Sequence, residues 1–248
     1  MIQDIGTVAW KEWRELLRLG GGRRGLLLRA LFSVGLLGVL WPWLIGASFV
    51  DSGLPILFAA TTAAMYVSAL VPDAFPGERE RHTLETLLAS RLPDSAILLG
   101  KIGALVSYAL GAALLMLLTG WITVNLKIGA DGLLFYRPNV LVTAIAFAAL
   151  TAGLVAAFGT VVSLRAATVK QAQQVLTTAI MLVLLAPAIL AEAWPRVWQR
   201  LVDAVSAAQP AGARKLIFWA AAMIALQLLL LGIARRRFVR SRLLAEIR

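Results

Sequence analysis

Acidic and basic side chains alternate closely between positions 73 and 101, in DAFPGERERHTLETLLASRLPDSAILLGK. The segment contains His82, the only histidine, and the chain has no cysteine. With one histidine and no thiol, the chain lacks the usual residues of nucleophilic catalysis and of thiolate metal sites. The HExxH, GxSxG and GxxxxGK[ST] patterns are also absent. We therefore expect no catalytic, metal or cofactor-binding residue, and energy for any uphill transport would have to come from another polypeptide.

Two helices are predicted to carry these charges. Pro76 and Gly77 break the chain, and residues 78–90 then have helical character, with three leucines on one face. Pro93 and Asp94 are start signals for a second helix that runs through Lys101 into an apolar stretch. A 29-residue connection is long compared with the usual 4–6 residues. This length favours a docking surface over the alternative, a solvated connector.

The remainder of the chain is strongly apolar. It has 248 residues, of which 60% are hydrophobic and 15% charged, and its mean hydropathy is +0.82. Soluble domains carry about 25% charged residues, and disordered chains are poor in apolar ones. Six uncharged stretches approach the roughly 20 residues that a membrane helix needs: 31–50, 54–72, 102–124, 140–162, 175–191 and 216–234. The predicted fold is a single all-α integral membrane domain, 1–248, with six transmembrane helices.

Basic residues are distributed unevenly between these spans. If both termini are cytoplasmic, 18 of the 24 lysines and arginines lie on the cytoplasmic side. This bias predicts an N-in, C-in topology in the cell inner membrane. It also explains the net charge of +11 without a nucleic-acid partner. None of the spans contains an ionisable residue, which weakens the case for an ion-coupled secondary transporter.

Two further segments are predicted to lie at the membrane interface. Residues 1–29 begin with an amphipathic helix that carries Trp10 and Trp13, for which packing against the protein's own loops is the alternative. Residues 192–215, on the outer side, carry Trp194 and Trp198 and form either an interfacial helix or a re-entrant cap. The basic tail, 235–248, is expected to contact anionic lipid.

The charged segment also resembles a known family signature. ERERHTLETLL (78–88), followed by Leu92-Pro93 and by ILLGK ending at Lys101, is similar to the E-x-E-x-x-T-L-E-x-L-L and P…hLhGK patterns of ABC-2-type transporter permeases. The N-terminal KEWRELLR (11–18) and the six-span layout resemble the same family. His82 departs from the pattern, since many members have glycine there.

This resemblance implies the membrane subunit of an ATP-binding cassette exporter, which dimerises to form the pathway. Two cytoplasmic ATPase subunits would hold the ATP and magnesium, and 73–101 would form a coupling helix docked on an ATPase. By the resemblance, the docking residues are Glu78, Glu80, Arg81, Thr83, Glu85 and Leu88. The partners are then the ATPase, a second permease subunit in a homodimer, and membrane lipid.

Two other functions stay open. One is a non-transporting assembly or sensor component that is paired with an ATPase. The other is a secondary transporter driven by a gradient. The substrate is not specified by the sequence, although uncharged spans suit an apolar or amphiphilic molecule.

Overall fold

The computed structural model describes residues 2–19, 31, 34–81, 91–128, 132–200 and 214–238. Within them the chain is helical and contains no strand. The α-helices of the described residues are, in chain order, α1 (Ile2–Leu19), α2 (Trp41–Ile45), α3 (Ala47–Asp51), α4 (Leu54–Ala74), α5 (Pro76–Glu80), α6 (Asp94–Ile128), α7 (Pro138–Ser163), α8 (Val169–Ala193) and α9 (Arg214–Arg237). A π-helix, Val34–Leu40, lies between α1 and α2.

Four helical segments in the described part of the chain are long and apolar enough to cross a membrane. They are Leu54–Glu80, which comprises α4 and α5, and the helices α6 (Asp94–Ile128), α7 (Pro138–Ser163) and α9 (Arg214–Arg237). They correspond to the second, third, fourth and sixth predicted spans. The fifth predicted span, 175–191, lies within α8, whose 25 residues extend about 37 Å at 1.5 Å per residue. The helices confirm a multi-pass membrane protein.

The core of the bundle is formed by α4, α6 and α7. The most extensive helix contact joins α4 to α7, and α6 lies against both. Small residues such as Ala59, Ala63, Ala109 and Ala152 are fully buried at these contacts, because small side chains let membrane helices approach closely. The outer helix α9 packs on α7 and otherwise exposes its apolar side chains.

The first predicted span, 31–50, is not one continuous helix. Pro42 has no N–H for the carbonyl of Gly38 and its ring crowds that carbonyl, and the π-helix Val34–Leu40 lies directly before it. The Thr123 hydroxyl donates to the Thr119 carbonyl oxygen at 2.8 Å and is shared with the Gly38 carbonyl oxygen at 3.3 Å, which replaces a small part of the lost bonding. The chain then breaks at Gly46, where φ is +71°, a value that only glycine adopts at low cost.

The second predicted helix start is confirmed. Helix α6 begins at Asp94, directly after Pro93, and its 35 residues run through Lys101 into the third predicted span. The helix predicted at 78–90 is described only as α5, Pro76–Glu80, because 82–90 lie outside the described residues. Residues 201–213 and 239–248 also lie outside them. The first residues of the predicted tail, Arg235–Arg237, form the last turn of α9, and a helical turn begins at Trp194.

Candidate functional site

A buried lysine joins three separate elements of the fold. The side chain of Lys101, about two turns into α6, is only 1% exposed. Its Nζ atom lies 2.8 Å from Glu12 Oε1 on α1 and 2.8 Å from Glu78 Oε1 on α5. Both carboxylates are nearly buried, at 8% and 6% exposure. A single ammonium group therefore holds the N-terminal helix and the start of the charged segment 73–101 at the same place on α6.

A second ammonium group lies at the rim of this site. Lys11 Nζ is 3.2 Å from Glu15, 3.5 Å from Glu78 and 3.7 Å from Glu12. Partial burial by itself lowers the pKa of Lys11, but the three carboxylates outweigh it, so that the pKa is raised above 10.5. We call Lys11, Glu12, Glu15, Glu78 and Lys101 the charge cluster. The Lys11 side chain is 45% exposed, and water screens its ion pairs strongly.

Close helix packing brings α1 to the cluster. A Cβ atom added to Gly100 would lie 2.6 Å from Val8 Cβ, nearer than such atoms approach in proteins. Glycine at this position therefore makes room for Val8, which is 2% exposed. One turn further along α1, Trp13 Nε1 donates to Ser107 Oγ at 2.7 Å and its ring packs edge-on against Tyr108. The apolar face of α1 thus binds α6, with Glu12 directed at Lys101.

The short helix α5 has further partners at the turn between α7 and α8. Arg79 Nη1 donates to the carbonyl oxygen of Ala166 at 3.3 Å. Glu80 Oε1 accepts a hydrogen bond from the backbone N–H of Val169, the first residue of α8, at 2.9 Å. Through consecutive residues, α5 therefore contacts α1, α6 and the turn that leads into α8.

Glu12, Glu15 and Glu78 lie close enough together to hold a cation. The two lysine ammonium groups already lie against these carboxylates and supply compensating positive charge. A neighbouring cavity of about 20 Å³ has room for about one water molecule. The two ammonium groups offset two of the three carboxylate charges, and each of the three carboxylates has an ammonium partner, so the donor set fits an ionic cluster within the protein.

The predicted docking residues occupy different environments. Glu78 is buried in the charge cluster, Glu80 bonds the start of α8, and Arg81 is 42% exposed with Asp73 at 4.0 Å. Thr83, Glu85 and Leu88 lie outside the described residues. The docking assignment stays a prediction, although the Glu78 carboxylate faces the protein interior rather than an open surface.

The predicted interface residues also divide into two groups. Trp10 and Trp194 are exposed, at 66% and 59%, and the guanidinium of Arg14 lies 5.9 Å from the Trp10 ring. Trp13 and Trp198 are partly buried. For Trp13 the cause is α6, so this face of α1 packs on a helix of the bundle and not on the loops that the alternative named.

Sequence reasoning assigned no role to Glu12 or Lys101. Each stood within a quoted motif, KEWRELLR or ILLGK, but neither motif specifies a partner. The available signal was a lysine at the very edge of an apolar span, where an unpaired charge is costly.

The comparisons with known proteins identify the family. The family described as ABC-2 type transporter matches residues 3–206, more than four fifths of the chain, and the match includes all of the charge cluster. A search of curated proteins returned no match. Because the family match spans most of the chain and agrees with its apolar helices, this protein belongs to the ABC-2 type transporter family.

Proposed function

We propose that this chain is the permease subunit of an ATP-binding cassette exporter, and that it forms the translocation pathway as a homodimer with two cytoplasmic ATPase subunits. The family match across residues 3–206 carries the proposal, since the family implies pairing with an ATPase. ATP and magnesium would bind in that ATPase, and this chain would have no catalytic site of its own. The apolar helices suit an amphiphilic substrate.

The contacts of α5 support a role in energy coupling. A displacement of the segment that follows α5 would act on Glu78, Arg79 and Glu80, whose partners lie on three other elements. Interlocked packing and ionic contacts of this kind move as units rather than deforming smoothly. An ATPase that binds residues 81–90 would in this way have a direct mechanical connection to α1, α6 and α8.

Reconstitution tests the function. The chain and its partner ATPase are placed in liposomes, and the movement of fluorescent lipid analogues and amphiphilic dyes is followed with and without ATP. Accumulation that requires ATP supports an exporter. Stimulated ATP hydrolysis with no movement of any probe would favour the assembly or sensor role, and gradient-driven uptake without the ATPase would overturn the proposal.

Docking can be tested separately by pull-down of the ATPase. Glu85→Ala should weaken association, because it removes a predicted docking carboxylate. Glu85 is not one of the five residues of the charge cluster, so the substitution leaves those residues unchanged. Glu192→Ala is the matched control, since this exposed carboxylate lies on the predicted outer side. Equal recovery of the ATPase with both variants would show that the coupling-helix assignment is wrong.

We further propose six spans with both termini in the cytoplasm of the inner membrane. The chain has no cysteine, so single introduced cysteines report on topology without background. Asp51→Cys should react with an impermeant thiol reagent added outside the cell, and Ala167→Cys should react only after permeabilisation. The reverse pattern would contradict the proposed orientation.

A further inference from the structure

The charge cluster gives α1 an attachment that a lipid anchor does not need. An interfacial helix keeps its charged residues toward water and headgroups. Here Glu12 is instead turned toward α6, and the residue as a whole is 6% exposed. Only a well-placed cation offsets the cost of burying its carboxylate there. The position of α1 is therefore set by the protein, through Lys101, and not by the bilayer alone.

The same ammonium group also holds α5. The Oε1 atoms of Glu12 and Glu78 are both 2.8 Å from Lys101 Nζ, and Lys11 on α1 lies 3.5 Å from the same Glu78 atom. Separating α5 from α1 would thus break two contacts and leave buried charge uncompensated. Moving the three elements together preserves every contact in the cluster.

We propose that Lys101 is a positioning residue that makes α1, α5 and the cytoplasmic end of α6 one rigid unit. The N-terminal helix then travels with the coupling segment when the ATPase acts on it. This role rests on the proposed function, and it assigns to α1 a part in energy coupling in addition to membrane contact. The exposed face of α1, with Trp10 and Arg14, remains available to lipid while the unit moves.

A reversible tether between α1 and α6 tests whether they move together. Trp13 and Ser107 are in hydrogen-bond contact, so Trp13→Cys with Ser107→Cys can be joined by a short bis-methanethiosulfonate reagent. The complex with the ATPase in liposomes should hydrolyse ATP at the same stimulated rate before and after tethering. Loss of stimulation on tethering that a reductant restores would overturn the proposal, because α1 would then have to slide along α6.

Weakening the ion pair between α1 and α6, in contrast to tethering these helices, should reduce the stimulation of ATP hydrolysis. Glu12→Gln keeps the shape of the side chain but removes the charge that faces Lys101. We expect stimulation of ATP hydrolysis to fall about two- to thirtyfold, the range seen for residues that couple distant sites, with ATPase pull-down unchanged. Arg14→Gln is the matched control, since it also removes a charge from α1, but Arg14 is exposed and is not a member of the charge cluster. Equal stimulation in both variants would overturn the proposal.

Hydrogen exchange separates a failure of this proposal from a failure of the proposed function, because it needs neither substrate nor ATP hydrolysis. If α1 and α5 belong to one unit, Glu12→Gln should increase amide exchange in both helices, although the substitution lies only in α1. Faster exchange in α1 with α5 unchanged would overturn the rigid unit. The hydrogen-exchange result has this meaning whether or not the wild-type complex transports any probe.

Discussion

Replacing Lys101 by methionine removes the central charge of the cluster and keeps a side chain of similar length. The carboxylates of Glu12 and Glu78 would then face each other in a site where each is less than a tenth exposed. Lys11 is the remaining ammonium group of the cluster, and it lies 3.5 Å or more from both carboxylates.

The expected loss follows from this geometry. Breaking a buried ion pair by removing one partner costs about 3–5 kcal/mol, because the other charge is left uncompensated. Lys11 returns little of this, since exposed pairs contribute about 0–1 kcal/mol. We expect Lys101→Met to lower the free energy of unfolding by about 3–5 kcal/mol, a large fraction of the 5–15 kcal/mol that is typical of a domain.

Equilibrium unfolding in mixed detergent micelles, followed by tryptophan fluorescence, measures this loss. Lys127→Met is the matched control, because it makes the same change near the other end of α6. Lys127 is exposed and donates to the carbonyl oxygen of Trp43, a charge-assisted contact worth about 1.5 kcal/mol. The triple variant Lys101→Met, Glu12→Met, Glu78→Met should recover most of the stability, since replacing a whole buried ion group by hydrophobic residues of similar volume is often neutral.

Two results would refute the reasoning. If Lys101→Met costs no more than Lys127→Met, the buried pairs do not hold α1 and α5 in place. If the triple variant is as unstable as the single one, the loss comes from packing around the lysine stem and not from the stranded carboxylates.

Three smaller predictions concern close contacts, backbone conformation and pH. Gly100→Leu should cost about 1–3 kcal/mol through overpacking against α1, whereas Gly103→Leu, with open space around it, should cost nothing; unfolding in mixed micelles compares them. Gly46→Ala should cost about 1–3 kcal/mol, because its φ of +71° and ψ of −142° are a backbone conformation that glycine alone adopts readily. Gly53→Ala, at φ −81°, should not show this loss in the same assay. The pKa of Lys11 is higher in the folded protein than its ordinary 10.5, so the stability that Lys11 contributes should be complete below pH 10.5 and decline above it. A series of unfolding curves at increasing pH measures this decline in the wild-type protein and in Lys11→Met. Equal losses of stability above pH 10.5 in the two proteins would contradict the prediction.

The sequence predicted the elements of this fold where local chemistry decides them. Long uncharged stretches have to become helices in a membrane, because helices satisfy every backbone polar group internally. The start of α6 at Asp94 follows from Pro93 and the acidic residue beside it. The break in the first span was missed, since Pro42 and Gly46 are both common in membrane helices and their effect depends on how α6 satisfies the freed carbonyls.

What the tertiary structure decided is the partnership among the charges. Glu12 and Lys101 are 89 positions apart, and Lys11 and Glu78 are 67 apart. The sequence by itself determined that these residues lie beside apolar spans on the predicted cytoplasmic side, but ion pairing over such separations depends on which helix faces meet. The approach of Val8 to Gly100 fixes that meeting. Steric fit between α1 and α6 therefore turned three unconnected motifs into one buried charge cluster.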